Sequence, residues 1–131
     1  MALLVTKQYS DIDVTFLPHP ITKDVLRKTG AAAVVQSIVN LVLTSHYEKP
    51  FHPEIGSNLR KLLFELADNV TASLIAEEVK IVIANFEPRA TVLGVYVSPT
   101  SDGYGYNVTI EFSVDTLPDP VSITLFLNRV R

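Results

Sequence analysis

Asn85-Phe86-Glu87-Pro88-Arg89 divides this chain of 131 residues into two sequence patterns. Before it, apolar residues recur at helical spacing. After it, they alternate one by one. Proline has no backbone N–H and biases its predecessor away from the α region. Pro88 therefore stops a helix at about Phe86 and turns Glu87 towards an extended conformation. Glu87 and Arg89 then flank a stiff joint. Opposite charges at that joint can bind each other, a buried backbone group or a partner. The plainer reading is a helix stop with two solvated charges.

Upstream, residues 72–86 form the helix that this joint ends. Ile75, Val79, Val82, Ile83 and Phe86 line one side, and Glu77, Glu78 and Lys80 lie mostly off that stripe. Thr71 is the expected N-cap, after a stop at Asp68-Asn69. A shorter helix over residues 58–66 carries Leu59, Leu62, Leu63 and Leu66 on one face, with Ser57 or Asn58 as its cap. Earlier still, a helix starts near Thr29 or Gly30 and runs to about Leu43. Residues 24–28 are a candidate separate helical piece, because Gly30 is poor in a helix interior. Ala31 to Val35, Ile38, Val39 and Leu41 to Leu43 cover most of the second helix's circumference. Such a helix is either central to its fold or covered by another subunit.

Downstream, three strands alternate. Leu93, Val95 and Val97 are expected on one face of the first. Val108, Ile110, Phe112 and Val114 form the inner face of the second, and Val121, Ile123, Leu125 and Leu127 that of the third. Residues 99–106 read as a loose hairpin turn, and Leu117-Pro118-Asp119-Pro120 as the next connection. The fold class is thus α+β, with N-terminal helices packed on a C-terminal antiparallel three-stranded sheet. A simple meander leaves two open edges, and an open edge is a template for another chain's strand. Thr124, Phe126 and Asn128, on the last strand, are the candidate partner-binding residues of that edge. The assignment requires that residues 121–128 form an outer strand.

Composition narrows the function classes. The formal net charge is −3, which supplies no basic footprint for nucleic acid. Cysteine is absent, so disulfides and thiolate metal sites are excluded. The hydrophobic fraction of 47% is that of an ordinary globular chain. No signal peptide is expected, and the longest apolar run is too broken to span a bilayer. Residues 1–23 read either as an extended arm that lies along the domain or along a neighbour, or as a frayed terminus. Residues 44–57 form a proline-interrupted connection in which Phe51 and Ile55 are expected to pin the loop to the core. His46, His52 and Glu54 match no common zinc spacing, so neither metal nor cofactor is expected.

The chain resembles the baseplate wedge and sheath-initiator family of contractile phage tails, which includes a type VI secretion baseplate subunit. Four stretches carry the resemblance over essentially the whole length. They are Tyr9-Ser10-Asp11-Ile12-Asp13, Pro50-Phe51-His52-Pro53-Glu54-Ile55-Gly56, Leu63-Phe64-Glu65 and the signature Glu87-Pro88-Arg89. His52 stands where large-phage members tend to carry an acid, and Ile55 where an aromatic is more usual.

The resemblance implies one structural domain over residues 1–131, sited in the virion tail baseplate, assembled in the host cytoplasm and repeated six-fold. Its implied partners are wedge proteins and tail sheath subunits, with no nucleic acid and no membrane. Glu87, Pro88 and Arg89 are its implied partner-binding residues. Replacing Arg89 by alanine is then expected to spare the isolated fold and impair assembly. The rival classes are a soluble regulatory binding module, which copurification with tail proteins would separate from the baseplate reading, and the lysozyme-like enzyme whose name family members often carry. Glycoside hydrolysis needs two carboxyl groups roughly 5–9.5 Å apart. No spacing singles out a pair among Asp11, Glu54, Glu65 and Glu87, and no G-x-S-x-G nucleophile elbow is present.

Overall fold

Pro88 does stop the long helix where expected. In the computed structural model, which describes residues 8–129, this helix runs Asn69–Phe86 and Glu87 follows it with a non-helical backbone. Before it come two short strands, β1 (Ser10–Ile12) and β2 (Arg27–Thr29), then helices α1 (Ala31–Leu43) and α2 (Leu59–Leu62). The long helix is α3. After the joint come β3 (Ala90–Pro99), β4 (Gly105–Val114) and β5 (Val121–Asn128), paired antiparallel in the order β3-β4-β5. The architecture is the expected α+β one: helices first, then a three-stranded meander with β4 at its centre.

The core lies between the helices and the inner face of that sheet. Tyr106, Val108, Ile110, Phe112 and Val114 are buried along β4, facing Ile75, Val79 and Ile83 of α3 and Val34 and Ile38 of α1. Each such aliphatic side chain contributes about 1.5–3 kcal/mol by burial. Tyr106, expected in the turn, continues the inward parity of β4, and its hydroxyl donates to the Leu66 carbonyl at 3.2 Å. Phe86 is half-buried at the end of the α3 stripe.

Several local expectations need correction. Residues 24–28 are not helical. The chain folds back there, and β2 pairs with β1 from Ser10↔Thr29 to Ile12↔Arg27. Pairing between segments distant in sequence overrides local propensity. The cap of α3 is Asp68, two residues before the first turn's Val70, and its carboxylate accepts from the Thr71 N–H at 2.7 Å. A short acidic side chain reaching the third N–H is the favoured capping geometry. Helix α2 is a single turn, so Leu66 is exposed rather than on its apolar face. In β3 the pairing jumps between Val92↔Phe112 and Gly94↔Glu111. This bulge leaves Leu93 unpaired and turns it outwards, 59% exposed, while Val92 packs on the core. Helix α1 is apolar nearly all round but buries only Ala33, Val34, Ile38 and Val42 fully, and Leu43 is exposed.

The loop over residues 44–57 contradicts the expected role of Phe51. Its side chain is 97% exposed, and only Ile55 is partly covered. The loop is pinned by backbone instead. Ser57 donates through its N–H to the Thr44 carbonyl at 2.8 Å and through its hydroxyl to the Val42 carbonyl at 3.0 Å. Gly56 makes the close approach possible. It adopts φ +136°, and a Cβ there would sit 2.7 Å from the Ser45 carbonyl carbon and 2.8 Å from the Thr44 carbonyl oxygen. Neither backbone atom can move aside cheaply. Gly56→Ala is therefore expected to destabilise the fold by about 2–4 kcal/mol in urea unfolding. Gly30→Ala is the comparison. Gly30 also has a positive φ, but an added Cβ meets nothing within 4 Å. Its φ of 61° and ψ of −133° still favour glycine, so Gly30→Ala should cost about 1–3 kcal/mol from backbone strain alone, less than Gly56→Ala. Equal effects at the two sites would contradict the close-approach argument.

Candidate functional site: a buried charge cluster and an open strand edge

Glu87 is the most buried charged residue described, 2% exposed, and the chain must pair it to hold it ionised there. Arg89 does this from two residues away, because the intervening proline keeps both side chains on one side of the joint. Its Nε donates to Glu87 Oε1 at 2.7 Å and its Nη2 to Oε2 at 3.0 Å, a bidentate fork. The Arg89 backbone N–H adds a third bond to Oε1 at 3.3 Å. Ser37, on α1, donates its hydroxyl to Oε2.

The other side of the same guanidinium reaches the N-terminal segment. Nη1 and Nη2 each lie 3.2 Å from Asp11 Oδ2, and the cation sits 5.4 Å from the centroid of the Tyr9 ring. Arg89 thus joins β1 to the α3–β3 joint, and Glu87 carries the link on to α1 through Ser37. Gln36 strengthens the junction of arm and helix, donating to the Ile12 carbonyl at 2.8 Å and accepting from the Val14 N–H at 3.3 Å.

Burial alone pushes the Glu87 carboxyl up. The hydrogen bonds from Arg89 and Ser37 outweigh it and hold the group below the usual carboxylate range. The same pairing raises Arg89, chiefly through its bond to Glu87. The cluster is therefore a fixed ion pair at neutral pH. A glycosidase acid needs the opposite, a carboxyl pushed up so that it keeps its proton. Glu87 and Asp11 share one arginine, and Glu54 is exposed and drawn low by hydrogen bonds, including one from His52. Among the described residues, no three His, Cys, Asp or Glu side chains gather as a metal site. No helix of the described residues is long and apolar enough to cross a membrane.

Residues Thr124, Phe126 and Asn128 lie apart from the cluster, on β5. Among the described residues this strand is an outer one, pairing with β4 alone. The direction of its backbone groups follows from the ladder. Arg129 N–H donates to the Tyr104 carbonyl at 2.8 Å, which continues the unbroken Gly105↔Asn128 to Phe112↔Val121 register. Pairs alternate along an antiparallel ladder. Leu127, Leu125, Ile123 and Val121 therefore exchange hydrogen bonds with β4, while Asn128, Phe126, Thr124 and Ser122 direct their N–H and C=O groups outwards. No hydrogen bond reaches those outward groups among the described residues. The Thr109 and Thr124 hydroxyls, 3.4 Å apart, mark the closer, non-hydrogen-bonded kind of pair. The expected edge residues are thus the open backbone positions. Of the signature, Pro88 is exposed, Arg89 is partly covered and Glu87 is enclosed. Sequence reading missed Asp11, Ser37 and Tyr9 as members of the charge cluster, although Tyr9 and Asp11 lie in one of the quoted stretches.

Comparison with known proteins shows what the chain is similar to. Residues 28–119 match the family model described as baseplate wedge protein gp25. The chain is 35% identical over 117 residues to baseplate wedge protein gp25 of Enterobacteria phage T4, covering 89% of this chain and 88% of that one. Its fold resembles a chain of the anti-feeding prophage baseplate, with TM-score 0.74, 21% identity and coverage of 86% and 90%. It also resembles a Geobacter sulfurreducens protein provisionally named a tail lysozyme, with TM-score 0.69, 23% identity and coverage of 75% and 89%. At those identities the two structures speak for the fold alone. The family match and the phage relative speak for more: this chain belongs to the baseplate wedge protein gp25 family.

Proposed function

We propose that this chain is a structural baseplate subunit that binds neighbouring wedge proteins and starts sheath polymerisation by accepting a strand at β5. The family membership supports the structural role, and the outward backbone groups of Ser122, Thr124, Phe126 and Asn128 are the observation that carries the mechanism. A strand from a sheath subunit would satisfy them at about 1 kcal/mol net per hydrogen bond. That is a weak contact for one subunit and a sufficient template when repeated around a ring. The alternating side chains of the edge set the register of the incoming strand. Glu87, Pro88 and Arg89 serve this role by holding the arm, α1 and the sheet in one arrangement. Direct partner contact at the signature falls to Pro88 and the open side of Arg89. The exposed end of α1 at Leu43 is a surface for a wedge neighbour.

Residue-resolved hydrogen exchange tests the strand addition. In the isolated chain, the amides of Thr124 and Phe126 should exchange much faster than those of Ile123 and Leu125. In tails carrying a sheath, Thr124 and Phe126 should gain protection to match. Unchanged fast exchange at those two amides in the assembled tail would rule out an added strand at this edge.

A further inference from the structure

We propose that β5 pairs with β5 of a second copy of this chain, antiparallel about Leu125, so that the free protein closes its open edge on itself. The two outer strands of the sheet are protected differently. β3 is interrupted by its bulge at Leu93, whereas the β4–β5 register runs unbroken from Gly105↔Asn128 to Phe112↔Val121. Sheets guard exposed edges with bulges, prolines and charged side chains. Val121–Asn128 has no bulge, no proline and no charged residue. The strand is also complementary to itself. Ser122, Thr124, Phe126 and Asn128 direct their N–H and C=O groups outwards, and an antiparallel pair sets outward groups opposite outward groups. Centring the pair on Leu125 places Ser122 opposite Asn128 of the second copy and Thr124 opposite its Phe126. All of these backbone groups then find partners. On the outer face a β-branched residue meets an aromatic that is 51% exposed in the free chain. On the inner face Leu125 meets its own counterpart, and Ile123 meets Leu127 of the second copy. A parallel pair would instead bring the two Arg129 residues to the same end.

Helix α1 supplies an independent observation, and it distinguishes a second copy from a lone strand. Ser37 turns one side of α1 to Glu87 at the α3–β3 joint. Helical spacing puts Val39 and Leu43 on the side away from Ser37. Leu43 is 60% exposed and borders, with Leu127 of β5, a groove of about 260 Å³. This apolar side of α1 therefore overhangs the open edge. Beneath it, Val121, Ile123 and Leu125 are only partly covered. A lone added strand would cover those three and leave the side of α1 open. A second copy brings its own α1 across the two-fold axis and gives both helices a partner. Dimerisation stands on the edge and on α1. Only its consequence rests on strand acceptance at β5: a sheath strand must displace the second copy, which keeps free chains from starting a sheath away from the baseplate.

The test uses the full chain alone. Sedimentation velocity from about 10 µM to about 1 mM should show a reversible monomer–dimer step. The amides of Thr124 and Phe126 exchange fast at dilutions where the chain is a monomer, and should slow at least about tenfold as the dimer forms. Thr124→Pro should be monomeric throughout the range. Leu43→Lys, which replaces an exposed side chain, should weaken the dimer about tenfold. The chain has no cysteine, so a nitroxide on Ser122→Cys reads the register. Mixed with a nitrogen-15 chain, the labelled copy should broaden the amides of Leu127 and Asn128 most. A chain still monomeric at about 1 mM would overturn the proposal. So would a dimer that Thr124→Pro leaves intact, or broadening centred on Ser122 or outside β5. A monomeric chain whose Thr124 and Phe126 amides gain protection only in sheathed tails would overturn the dimer and leave strand acceptance standing.

Discussion

Arg89→Ala is expected to lower the unfolding free energy by about 3–5 kcal/mol and the melting temperature by roughly 10 °C or more. The implied expectation that this variant spares the isolated fold does not survive the geometry. Removing the guanidinium leaves the Glu87 carboxylate enclosed with only the Ser37 hydroxyl and the backbone N–H of residue 89 for support. An unpaired buried charge is among the few single changes that approach the whole stability of a domain, about 5–15 kcal/mol. The two partners of Arg89 are unequal. Asp11 is 34% exposed at its side chain, and Glu87 3%. Asp11→Asn should therefore cost about 1 kcal/mol or less. Its main effect should be a looser arm, seen as faster exchange at Ile12 and Val14.

The pH dependence separates this cause from simple loss of packing. In the unaltered chain the folded-state pKa of Glu87 is depressed. Its contribution to stability is therefore complete above the unfolded-state value of about 4.3 and is lost as pH falls through the lower folded value. In Arg89→Ala, burial dominates and the folded value rises above the unfolded one. The deficit should then shrink as pH falls through that raised value, because protonation removes the unpaired charge. Urea unfolding of both chains between neutral pH and about pH 4 reads the difference. A deficit that stays constant over that range would show that lost contacts, not the stranded charge, explain the variant.

Much of the architecture was legible because it rests on local rules. Pro88 cannot continue a helix, and α3 ends at Phe86. Strict alternation from Val108 to Val114 marks a strand with one buried face, and every one of its apolar residues is buried. The unread parts depend on contacts between distant segments. Residues 24–28 carry no local strand signal, and β2 exists because Ser10–Ile12 pairs with it. The bulge at Leu93 shows only once β4 fixes which of its neighbours must face inwards. Phe51 looks like a core anchor by residue type, whereas Gly56 and Ser57 hold its loop through the backbone.

The site divides along the same line. Glu87 and Arg89 could be read as a charged pair at a rigid corner, two positions apart. Their convergence with Asp11, 78 positions from Arg89, and with Ser37, 50 from Glu87, could not. Tyr9 and Asp11 were visible as part of a familiar stretch, but the stretch gave no reason for being there. The reason is the cation of Arg89.

Thr124→Pro should abolish sheath growth while leaving the chain folded and able to enter the baseplate. The prediction rests on which way one N–H points. The ladder parity directs the Thr124 N–H away from β4. Proline there removes a donor offered to an incoming strand and places its ring in that strand's path. It breaks no backbone hydrogen bond to β4, so its cost to the isolated chain is confined to the altered backbone angle and the exposed 3.4 Å hydroxyl contact with Thr109. Leu125→Pro is the paired control. The Leu125 N–H points inwards to Val108, and proline at that position breaks the sheet's own ladder beside a half-buried side chain. Leu125→Pro should therefore lower the melting temperature well beyond Thr124→Pro and lose baseplate incorporation as well. Electron micrographs of tails from the two variants, beside melting curves of the isolated chains, provide the comparison. Baseplates without sheaths from a folded Thr124→Pro chain are the expected result. Sheaths of normal length from that variant would show that polymerisation starts somewhere other than the β5 edge. The charge cluster would keep its place in such an outcome, since Arg89 positions the arm, α1 and the sheet whichever surface the sheath uses.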